Sequence, residues 1–449
     1  MRRRWHLLAS VLVVSACVGD STSPPQPTAR PTAGPTPSAT IVPSPTPSGP
    51  AAVVELARSD LPRATVDPAL AALAADAINA FGLDLYGRLA PTPGNIVLSP
   101  ASVAIALSMA RAGAVGQTAA EMDAVLHDLG AVDLADAANA LDAALAARTG
   151  TFADSAGEDQ DVVLRIVNAL FVQYDLPLQA AFLDAMASRY GAGAWQVDYQ
   201  NDPEAARQAI DAWVANATED RIPEILKPGI VTAAWRLAIA NAIYLKAAWQ
   251  APFPEDSTAP ADFTLVDRAV VRVPTMHGLI DAPYASGDGW TAIQLPYVGR
   301  DLAMLVIVPD DLASFEAGFD EAVLQSIVGS LGRGRVNLSL PKFDFESVFE
   351  LSDVLAALGM PTAFSPEADF SGITAAEALK IATVIHQANI TVDEEGTEAA
   401  AATVIGFDTS GGVAPPELKV DRPFLFALRD VPTGAVVFIG RVADPSETR

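Results

Sequence analysis

Residues 394–403 read EEGTEAAAAT and are the most informative stretch of this 449-residue chain. Two acidic residues, Glu394 and Glu395, precede a Gly-Thr pair, and a run of alanines follows. Small residues that tolerate β structure, beside a flexible glycine, suit a segment that is exposed at first and later enters a crowded sheet. The stretch therefore predicts a hinge, with Gly396 as the point where the backbone turns.

If the hinge forms a strand, its side chains alternate between two faces. One face carries only small, uncharged side chains, those of Thr397, Ala399, Ala401 and Thr403. The other face carries Glu398, Ala400 and Ala402. The first face can turn toward a packed interior because it buries no unpaired charge. The alternative is an alanine-rich loop of low complexity, but the phase of the small residues and the adjacent Gly-Thr pair favour insertion.

The composition excludes some partners. The chain has 54 acidic and 28 basic side chains and a net charge of −26, which repels the phosphate backbone of nucleic acids. Solubility is the simplest interpretation of this charge. The one cysteine, Cys17, allows no disulfide within the chain.

Residues 1–17 have the pattern of an export signal. Three arginines at positions 2–4 precede an apolar run over residues 7–14, which is too short to span a bilayer. Residues 14–17, VSAC, resemble the bacterial lipobox, in which the cysteine takes a lipid and becomes the mature N-terminus. We expect lipidation at Cys17 and an extracellular protein, anchored to the bacterial membrane or secreted. The alternative is an ordinary signal peptide with a chance cysteine.

Residues 18–65 are predicted to be a tether. Ten prolines lie between Pro24 and Pro50, among many serines and threonines, and such a composition cannot bury a core. At about 3.1 Å per residue, some thirty residues of polyproline-like chain reach on the order of 90 Å. We expect one folded domain over residues 66–449, held away from the membrane.

Within this domain, periodicity predicts helices early and strands late. Helices are expected at residues 67–89, 99–112, 117–129, 133–148, 178–190 and 203–217. Strands are expected at residues 162–172, 235–245, 302–308, 335–340, 382–392, 424–428 and 435–439. Because there is no regular βαβ alternation, the pattern favours an α+β fold.

The motifs of common enzyme classes are absent from the sequence. It contains no G-x-S-x-G, H-E-x-x-H, G-x-x-x-x-G-K-[ST] or C-x-x-C. No two of His127, His277 and His386 have the spacing of metal ligands. We therefore predict neither catalysis nor a cofactor, and a surface-anchored hydrolase is a disfavoured alternative.

Six further segments carry a family resemblance. They are residues 95–100 (NIVLSP) with Ser102, 241–253 (NAIYLKAAWQAPF), 340–343 (LPKF), 358–360 (LGM), 369–373 (DFSGI) and 420–426 (VDRPFLF). In this order, and together with the hinge, they resemble the serpins, protease inhibitors that insert a cleaved loop into their own sheet. The resemblance covers about residues 66–445. It implies the serpin fold: mixed helices with a large central β-sheet, second and third smaller sheets, and an exposed reactive loop.

The resemblance also implies roles for five residues. Ser99, Ser102, Asn241 and His386 would form the shutter, a polar cluster beneath the point where the main sheet opens. Trp249 would lie in the breach, at the top of that sheet, where the hinge first inserts. Four of them have a simpler interpretation as well: Ser99 as a helix N-cap, Asn241 and His386 as buried polar groups that need partners, and Trp249 as a core aromatic.

The resemblance further implies a suicide substrate for serine proteases. The protease attacks one bond of the loop and forms an acyl-enzyme, and insertion of the freed hinge then distorts the enzyme. Counting from the start of the hinge places the bond at Ser410–Gly411, whereas counting back from the later Pro-Pro pair suggests Gly412–Val413. No Arg or Lys lies between residues 394 and 417. Elastase-like or subtilisin-like proteases, with small or apolar specificity pockets, are therefore the expected partners.

Other partners are not expected. Some serpins bind heparin-like polyanions through a basic helix, but residues 133–148 carry three aspartates and one arginine, so polyanion activation is not predicted. We expect a monomer. The main alternative is a non-inhibitory serpin-fold binding module at the cell surface, whose usual mark, a bulky or charged hinge, this sequence lacks.

Overall fold

The computed structural model describes residues 55–130, 132–220, 222–397 and 415–448. Its helices are α1 (Leu70–Leu89), α2 (Pro100–Arg111), α3 (Gly116–Val125), α4 (Leu134–Ala146), α5 (Ala180–Ala185), α6 (Pro203–Ala217), α7 (Leu312–Glu316), α8 (Glu321–Ser330) and α9 (Ser352–Leu358). A π-helical turn, Met186–Tyr190, continues α5. Each of the six helices predicted from the sequence is present, and within the described ranges no helix is long and apolar enough to cross a bilayer.

The strands outnumber those predicted from the sequence. They are β1 (Glu55–Ala57), β2 (Ile96–Leu98), β3 (Gly150–Ala153), β4 (Asp159–Gln173), β5 (Ala194–Val197), β6 (Leu237–Ala248), β7 (Ala259–Thr264), β8 (Val270–Gly287), β9 (Trp290–Pro296), β10 (Leu302–Pro309), β11 (Gly332–Pro341), β12 (Phe343–Glu350), β13 (Val384–Val392), β14 (Gly396–Thr397), β15 (Glu417–Lys419), β16 (Phe424–Asp430) and β17 (Val436–Val442).

The central sheet has the order β1-β5-β4-β6-β13-β12, with β3 paired to β4 and β14 paired to β6. Its long antiparallel pair, β4 with β6, runs from Val163–Lys246 to Val172–Leu237. Beside it, β6 and β13 are parallel, which brings residues far apart in the chain to the same level of the sheet. This sheet is the large central β-sheet that the sequence predicts.

The remaining strands form one continuous path, β15-β11-β8-β9-β10-β16-β17-β2, with β7 beside β8. The predicted second and third sheets are therefore joined in the part of the chain that the structure describes. The joining element is β8, an 18-residue strand that pairs with β7 and β11 over most of its length and with β9 at its end. The sequence did not predict β8, because Pro274, Gly278 and Pro283 interrupt the β pattern.

The first strand lies inside the segment predicted to be a tether. Leu56 of β1 pairs with Trp195 of β5 in an antiparallel arrangement. The predicted start of the fold at Val66 was therefore wrong, because backbone pairing with β5 orders residues whose own sequence carries no strand pattern. The predicted signal peptide, Cys17 and the rest of the tether lie outside the described residues.

Two hydrophobic cores flank the central sheet. The larger core contains α1, α2 and the inward faces of both sheets. The smaller core lies under α6, where Trp213 packs edge-to-face on Phe171 of β4 with ring centroids 5.8 Å apart. Helix α2 enters the larger core beside the sheet. It starts at Pro100 after the N-cap Ser99, whose Oγ accepts a hydrogen bond from the Ser102 backbone N–H at 3.2 Å.

Candidate functional site

The start of the hinge is already part of the central sheet. Strand β14 pairs antiparallel with the last two residues of β6, Ala247 and Ala248. At the opposite end, β6 pairs in parallel with β13, and the last of these pairs is Asn241–His386. Between Asn241 and Ala247, no described strand pairs with β6 on its β13 side. Among the described strands, none therefore occupies the position between β6 and β13 over these residues; we call it the unfilled position, and β14 lies at its upper end.

A small cavity lies directly ahead of β14. It has a volume of about 10 Å³, which is at the lower limit for one water molecule. Its walls are Leu245 of β6, residues 389–391 of β13 and Thr397, with Leu428 and Phe438 of the second sheet also lining it. The cavity lies in the path that a longer β14 would follow.

Gly396 allows β14 to approach β6 closely. Its φ is 154°, and a Cβ atom on this residue would lie 2.7 Å from the Cα atom of Ala248 and 3.0 Å from the Trp249 nitrogen. Such distances are too short for a real side chain, so any larger residue would push β14 out of the sheet. The role of Gly396 is thus both conformational and steric.

Glu394 fixes the turn that leads into β14. Its Oε2 accepts a hydrogen bond from Lys342 Nζ at 2.6 Å, and its Oε1 accepts one from Thr258 Oγ1 at 2.6 Å. Burial alone would raise the pKa of Glu394, but these hydrogen bonds outweigh it and lower the pKa below its ordinary value. Next to it, Asp393 Oδ1 accepts from the backbone N–H groups of Glu395 and Gly396.

Trp249 contacts the same turn from the side of β6. Its indole Nε1–H donates to the Asp393 carbonyl at 3.0 Å, and its backbone N–H donates to the Glu395 carbonyl at 2.7 Å. The indole stacks on Tyr297, with ring centroids 4.5 Å apart. The Tyr297 hydroxyl in turn lies 2.7 Å from Thr397 Oγ1. The structure thus brings the predicted breach residue and the start of the hinge together.

The four predicted shutter residues also form one cluster. His386 Nδ1 lies 3.1 Å from Asn241 Oδ1, and the Ser99 backbone N–H donates to His386 Nε2 at 2.9 Å. The Asn241 amide donates to the Ser102 carbonyl at 2.7 Å and to Ser102 Oγ at 2.5 Å. A second amide, that of Asn168, accepts from Asn241. This cluster lies at the last pair of β6 with β13, where the unfilled position begins.

The hydrogen bonds fix the protonation state of His386. A backbone N–H can only donate, so Nε2 must be the unprotonated nitrogen and Nδ1 carries the proton that Asn241 accepts. Burial lowers the pKa of His386 to about 4, which agrees with a neutral ring. Protonation of Nε2 would oppose one donor to another and break the contact with Ser99.

Four contributors to the site were not predicted from the sequence: Lys342, Thr258, Tyr297 and Asn168. Asn168 could have been found by the signal that singled out Asn241, a polar residue in an apolar strand. Lys342 lies in one of the quoted family segments but had been given no role. Within the described parts of the chain, no group of three or more His, Cys, Asp or Glu is placed to hold a metal ion.

The rest of the hinge, Glu398 to Thr403, lies outside the described residues, as do Ser410, Gly411, Gly412 and Val413. The described chain resumes just before β15, which pairs in parallel with β11. There the Asn337 backbone N–H donates to the Pro416 carbonyl at 2.9 Å. The segment that contains both candidate reactive bonds thus runs from β14 in the central sheet to β15 in the second sheet.

Comparison with known proteins agrees with this architecture. Residues 76–445 match the family model described as Serpin (serine protease inhibitor), and the chain belongs to the serpin family. It is 34% identical over 452 residues to an uncharacterised serpin-like protein of Thermococcus kodakarensis, with 99% of this chain and 100% of that protein covered. It is also 34% identical to the leukocyte elastase inhibitor of Bos taurus, with 81% of this chain and 97% of that protein covered.

Solved serpin structures are similar over most of the chain. Thyroxine-binding globulin in complex with thyroxine superposes with a TM-score of 0.74 at 27% identity, covering 84% of this chain and 100% of that one. The thermophilic serpin tengpin in its native state also gives a TM-score of 0.74, at 24% identity, over 86% of this chain and 97% of that one. The predicted serpin fold is confirmed, and a protein of this family is expected to inhibit proteases rather than to catalyse a reaction.

Proposed function

We propose that this serpin inhibits serine proteases as a suicide substrate, and that its cleaved loop inserts between β6 and β13. The observation that carries the proposal is the pairing of β14 with β6 at the end of the unfilled position. The similarity to leukocyte elastase inhibitors supports protease inhibition in general.

The pairing of β14 sets the register that a longer strand would have along β6. Thr397 lies opposite Ala247. In an antiparallel pair, each step forward on one strand matches one step back on the other. Extension of β14 by six residues therefore brings Thr403 opposite Asn241.

The turn before β14 gives the same register from the side of β13. The Asp393 backbone N–H donates to the Gly396 carbonyl at 3.0 Å, so these two residues close a tight hairpin. In a longer antiparallel hairpin, each residue after Gly396 lies opposite the residue that is equally far before Asp393. Thr403, seven residues after Gly396, therefore comes opposite His386. Asn241 and His386 already face each other in the sheet, so a single residue, Thr403, satisfies both registers.

The side chains of the inserted strand fit this register. Thr397 is 3% exposed, which supports an inward orientation for its face of the hinge. On that face, Ala399 and Ala401 would lie beside Leu245 and Ile243, both of which are buried. Large or charged residues at the two alanine positions would clash or bury charge.

Insertion would drive the inhibition without a cofactor. The protease nucleophile attacks the carbonyl carbon of the reactive bond, forms an acyl-enzyme and releases the amine of the C-terminal part. The new strand then pairs with β6 and with β13, and each hydrogen bond of this pairing contributes about 0.5–1.5 kcal/mol net. The attached protease moves with the strand and is distorted before water can cleave the acyl bond.

The loop sequence suggests the class of target. Both candidate bonds, Ser410–Gly411 and Gly412–Val413, follow a small residue, and the loop has no Arg or Lys. These features support elastase-like or subtilisin-like proteases. We further infer a monomer that is exported by residues 1–17, lipidated at Cys17 and held outside the cell by the proline-rich tether.

The test is to mix the full-length protein with elastase or subtilisin and to analyse the products by denaturing electrophoresis and mass spectrometry. We expect an SDS-stable adduct and a released peptide that starts at Gly411 or Val413. Cleavage without an adduct and without a gain in heat stability would contradict inhibition and favour the non-inhibitory binding module.

A matched pair of variants tests the insertion step. Thr397→Arg buries a charge on the inward face, and we expect this variant to be cleaved without forming an adduct. Thr397→Ser keeps the hydroxyl that contacts Tyr297 and should still form the adduct. Equal adduct yields from both variants would show that the inhibition, if present, does not use insertion at Thr397.

A further inference from the structure

We propose that a groove between the start of α3 and residues 361–369 binds a small zwitterion, an α-amino acid or a short peptide. The carboxylate of the ligand would lie toward α3 and its ammonium group toward residues 367–369. One wall of the groove is formed by residues 115–118, and the other by five residues of the segment 361–369. The groove shares no residue with the hinge, the breach or the shutter, so this binding is separate from the proposed inhibition.

The size and lining of the groove suit a ligand of this kind. Its volume is about 430 Å³, which falls within the range of roughly 300–1,000 Å³ found for small-molecule sites. The apolar side chain of Val115 lies in its wall and is 43% exposed. Pro361 lies in the opposite wall and is also exposed. Apolar surface beside a few convergent polar groups is typical of ligand sites.

Hydrogen bonds between distant parts of the chain hold the two walls together. Glu121 of α3 accepts from the Thr362 backbone N–H at 2.9 Å and from the Thr362 hydroxyl at 2.8 Å. The Asp369 backbone N–H donates to Thr118 Oγ1 at 2.9 Å, and the Val115 backbone N–H donates to the Asp369 carbonyl at 2.9 Å. The groove is therefore formed before a ligand binds, which reduces the free-energy cost of ordering the site.

The α3 wall supplies hydrogen-bond donors. The first N–H groups of a helix have no acceptor within the helix, and the N-cap of α3, Val115, has no side chain that accepts from them. Thr118 adds a hydroxyl that is buried although the residue lines the groove, since Thr118 is only 1% exposed. Its Oγ1 accepts from the Asp369 N–H, but within the described parts of the chain no group accepts its proton. This wall therefore fits a ligand carboxylate.

The opposite wall supplies negative charge. Glu367 and Asp369 both line the groove and are exposed. A hydrogen bond with the Ser365 side chain lowers the pKa of Glu367, and one with the Ser371 side chain lowers the pKa of Asp369. Both carboxylates are therefore ionised at neutral pH. None of the described residues that line the groove is a lysine or an arginine, so an ammonium group of the ligand is the matching partner.

The two walls together select a ligand that carries both charges. A simple anion at the start of α3 would be repelled by the carboxylates of Glu367 and Asp369. A simple cation would be opposed by the start of α3, which carries about half an elementary positive charge, and would leave the donors of that wall unused. A zwitterion pairs with both walls at once. Free amino acids and short peptides share this chemistry, and the experiment distinguishes between them.

The test is calorimetric titration of the full-length protein with free glycine and with the dipeptide glycylglycine. Two analogues of the dipeptide each remove one charge: N-acetylglycylglycine lacks the ammonium group, and glycylglycinamide lacks the carboxylate. We expect the dipeptide to bind at least about tenfold more tightly than either analogue, because each analogue loses one charge-assisted contact. Tighter binding of the dipeptide than of glycine would assign the site to short peptides, and the reverse order to free amino acids.

Variants of both walls test the assignment of the contacts. Glu367→Gln and Asp369→Asn keep the shape of the side chain and remove its charge, and each should weaken binding of the dipeptide about tenfold. Thr118→Val removes the hydroxyl of the α3 wall and should also weaken binding, whereas Thr118→Ser keeps the hydroxyl and should bind as the wild type does. Glu255→Gln removes the charge of an exposed carboxylate outside the groove and should likewise leave binding unchanged.

The proposal is overturned if neither glycine nor the dipeptide binds at millimolar concentrations, or if the charge-deleted analogues bind as well as the dipeptide. It is also overturned if Glu367→Gln and Asp369→Asn bind the dipeptide as tightly as Glu255→Gln does. Because the titrations contain no protease, their outcome does not depend on whether the protein inhibits one.

Discussion

The hydroxyl of Thr397 lies 2.7 Å from the hydroxyl of Tyr297, in the buried interior beside the last residues of β6. This contact determines which face of the hinge turns inward. In a strand that continued from Thr397, every second residue would share its inward face, and Glu398 would lie on the outward face. The alternation of inward and outward side chains that the sequence predicts for the hinge therefore starts at Thr397, with Thr397 inward.

Tyr297→Phe should weaken the docked hinge. The substitution removes the hydroxyl but keeps the ring that stacks on Trp249. Loss of one buried hydrogen bond costs about 1 kcal/mol, so we expect about a fivefold increase in the number of inhibitor molecules cleaved for each adduct formed. Titration of elastase with the variant measures this ratio. An unchanged ratio would mean that the contact with Thr397 does not assist insertion.

A charge reversal tests the projected register on the outward face. The register that brings Thr403 opposite Asn241 also brings Glu398 opposite Lys246 of β6. Like charges in opposed positions are destabilising by up to about 1 kcal/mol, so Lys246→Glu should slow adduct formation about two- to fivefold. Adding Glu398→Lys restores opposite charges and should restore the rate. A double variant as slow as the single variant would contradict the register.

Glu394→Gln should destabilise the turn before β14 in a pH-dependent manner. The folded-state pKa of Glu394 is lowered from 4.5, so its contribution is complete above that pH and is lost as the pH falls through the folded-state pKa. We expect the variant to be less stable by about 1–3 kcal/mol at pH 7, with the difference shrinking below about pH 4. Denaturant titrations across this range measure it.

An exposed ion pair provides the control for Glu394. Glu417 Oε1 lies 3.0 Å from Lys419 Nζ, and both side chains are more than half exposed. Glu417→Gln should therefore change stability by less than about 1 kcal/mol. A similar loss of stability in both variants would contradict the prediction, because it would show that the buried ion pair of Glu394 is no stronger than an exposed one.

The buried ring of His386 predicts a second pH dependence. Its folded-state pKa is about 4, whereas an unfolded histidine titrates near pH 6.5. The unfolded chain thus binds more protons between these values, so stability should fall as the pH drops from about 6.5 to 4, by on the order of 3 kcal/mol. His386→Gln should remove this part of the slope, whereas His277→Gln should retain it. Equal slopes in the wild type and His386→Gln would contradict this assignment.

The local parts of the site could be predicted from the sequence. Gly396 and the small residues after it stand out in the chain, and Asn241 and His386 stand out as polar residues in apolar strands. Lys342 and Tyr297 could not be found in this way. Their partners, Glu394 and Thr397, lie 52 and 100 residues away, and no local pattern indicates which distant side chain will pair with which.

The same distinction applies to the fold. Helices α1 and α6 were predictable because their apolar spacing and start signals are contained within the segments themselves. Strands β1 and β8 were not, because one has three residues and the other contains proline and glycine. Pairing with β5 in one case, and with β7, β9 and β11 in the other, stabilises them.

Hydrogen exchange after loop cleavage tests insertion most directly. The full-length protein, cleaved once within residues 398–414, is compared with the intact protein by mass spectrometry and calorimetry. We predict that amides of β6 between Asn241 and Ala247, and of β13 beyond His386, become more protected, and that the unfolding temperature rises. Unchanged protection of these two segments, with an unchanged or lower unfolding temperature, would contradict the account.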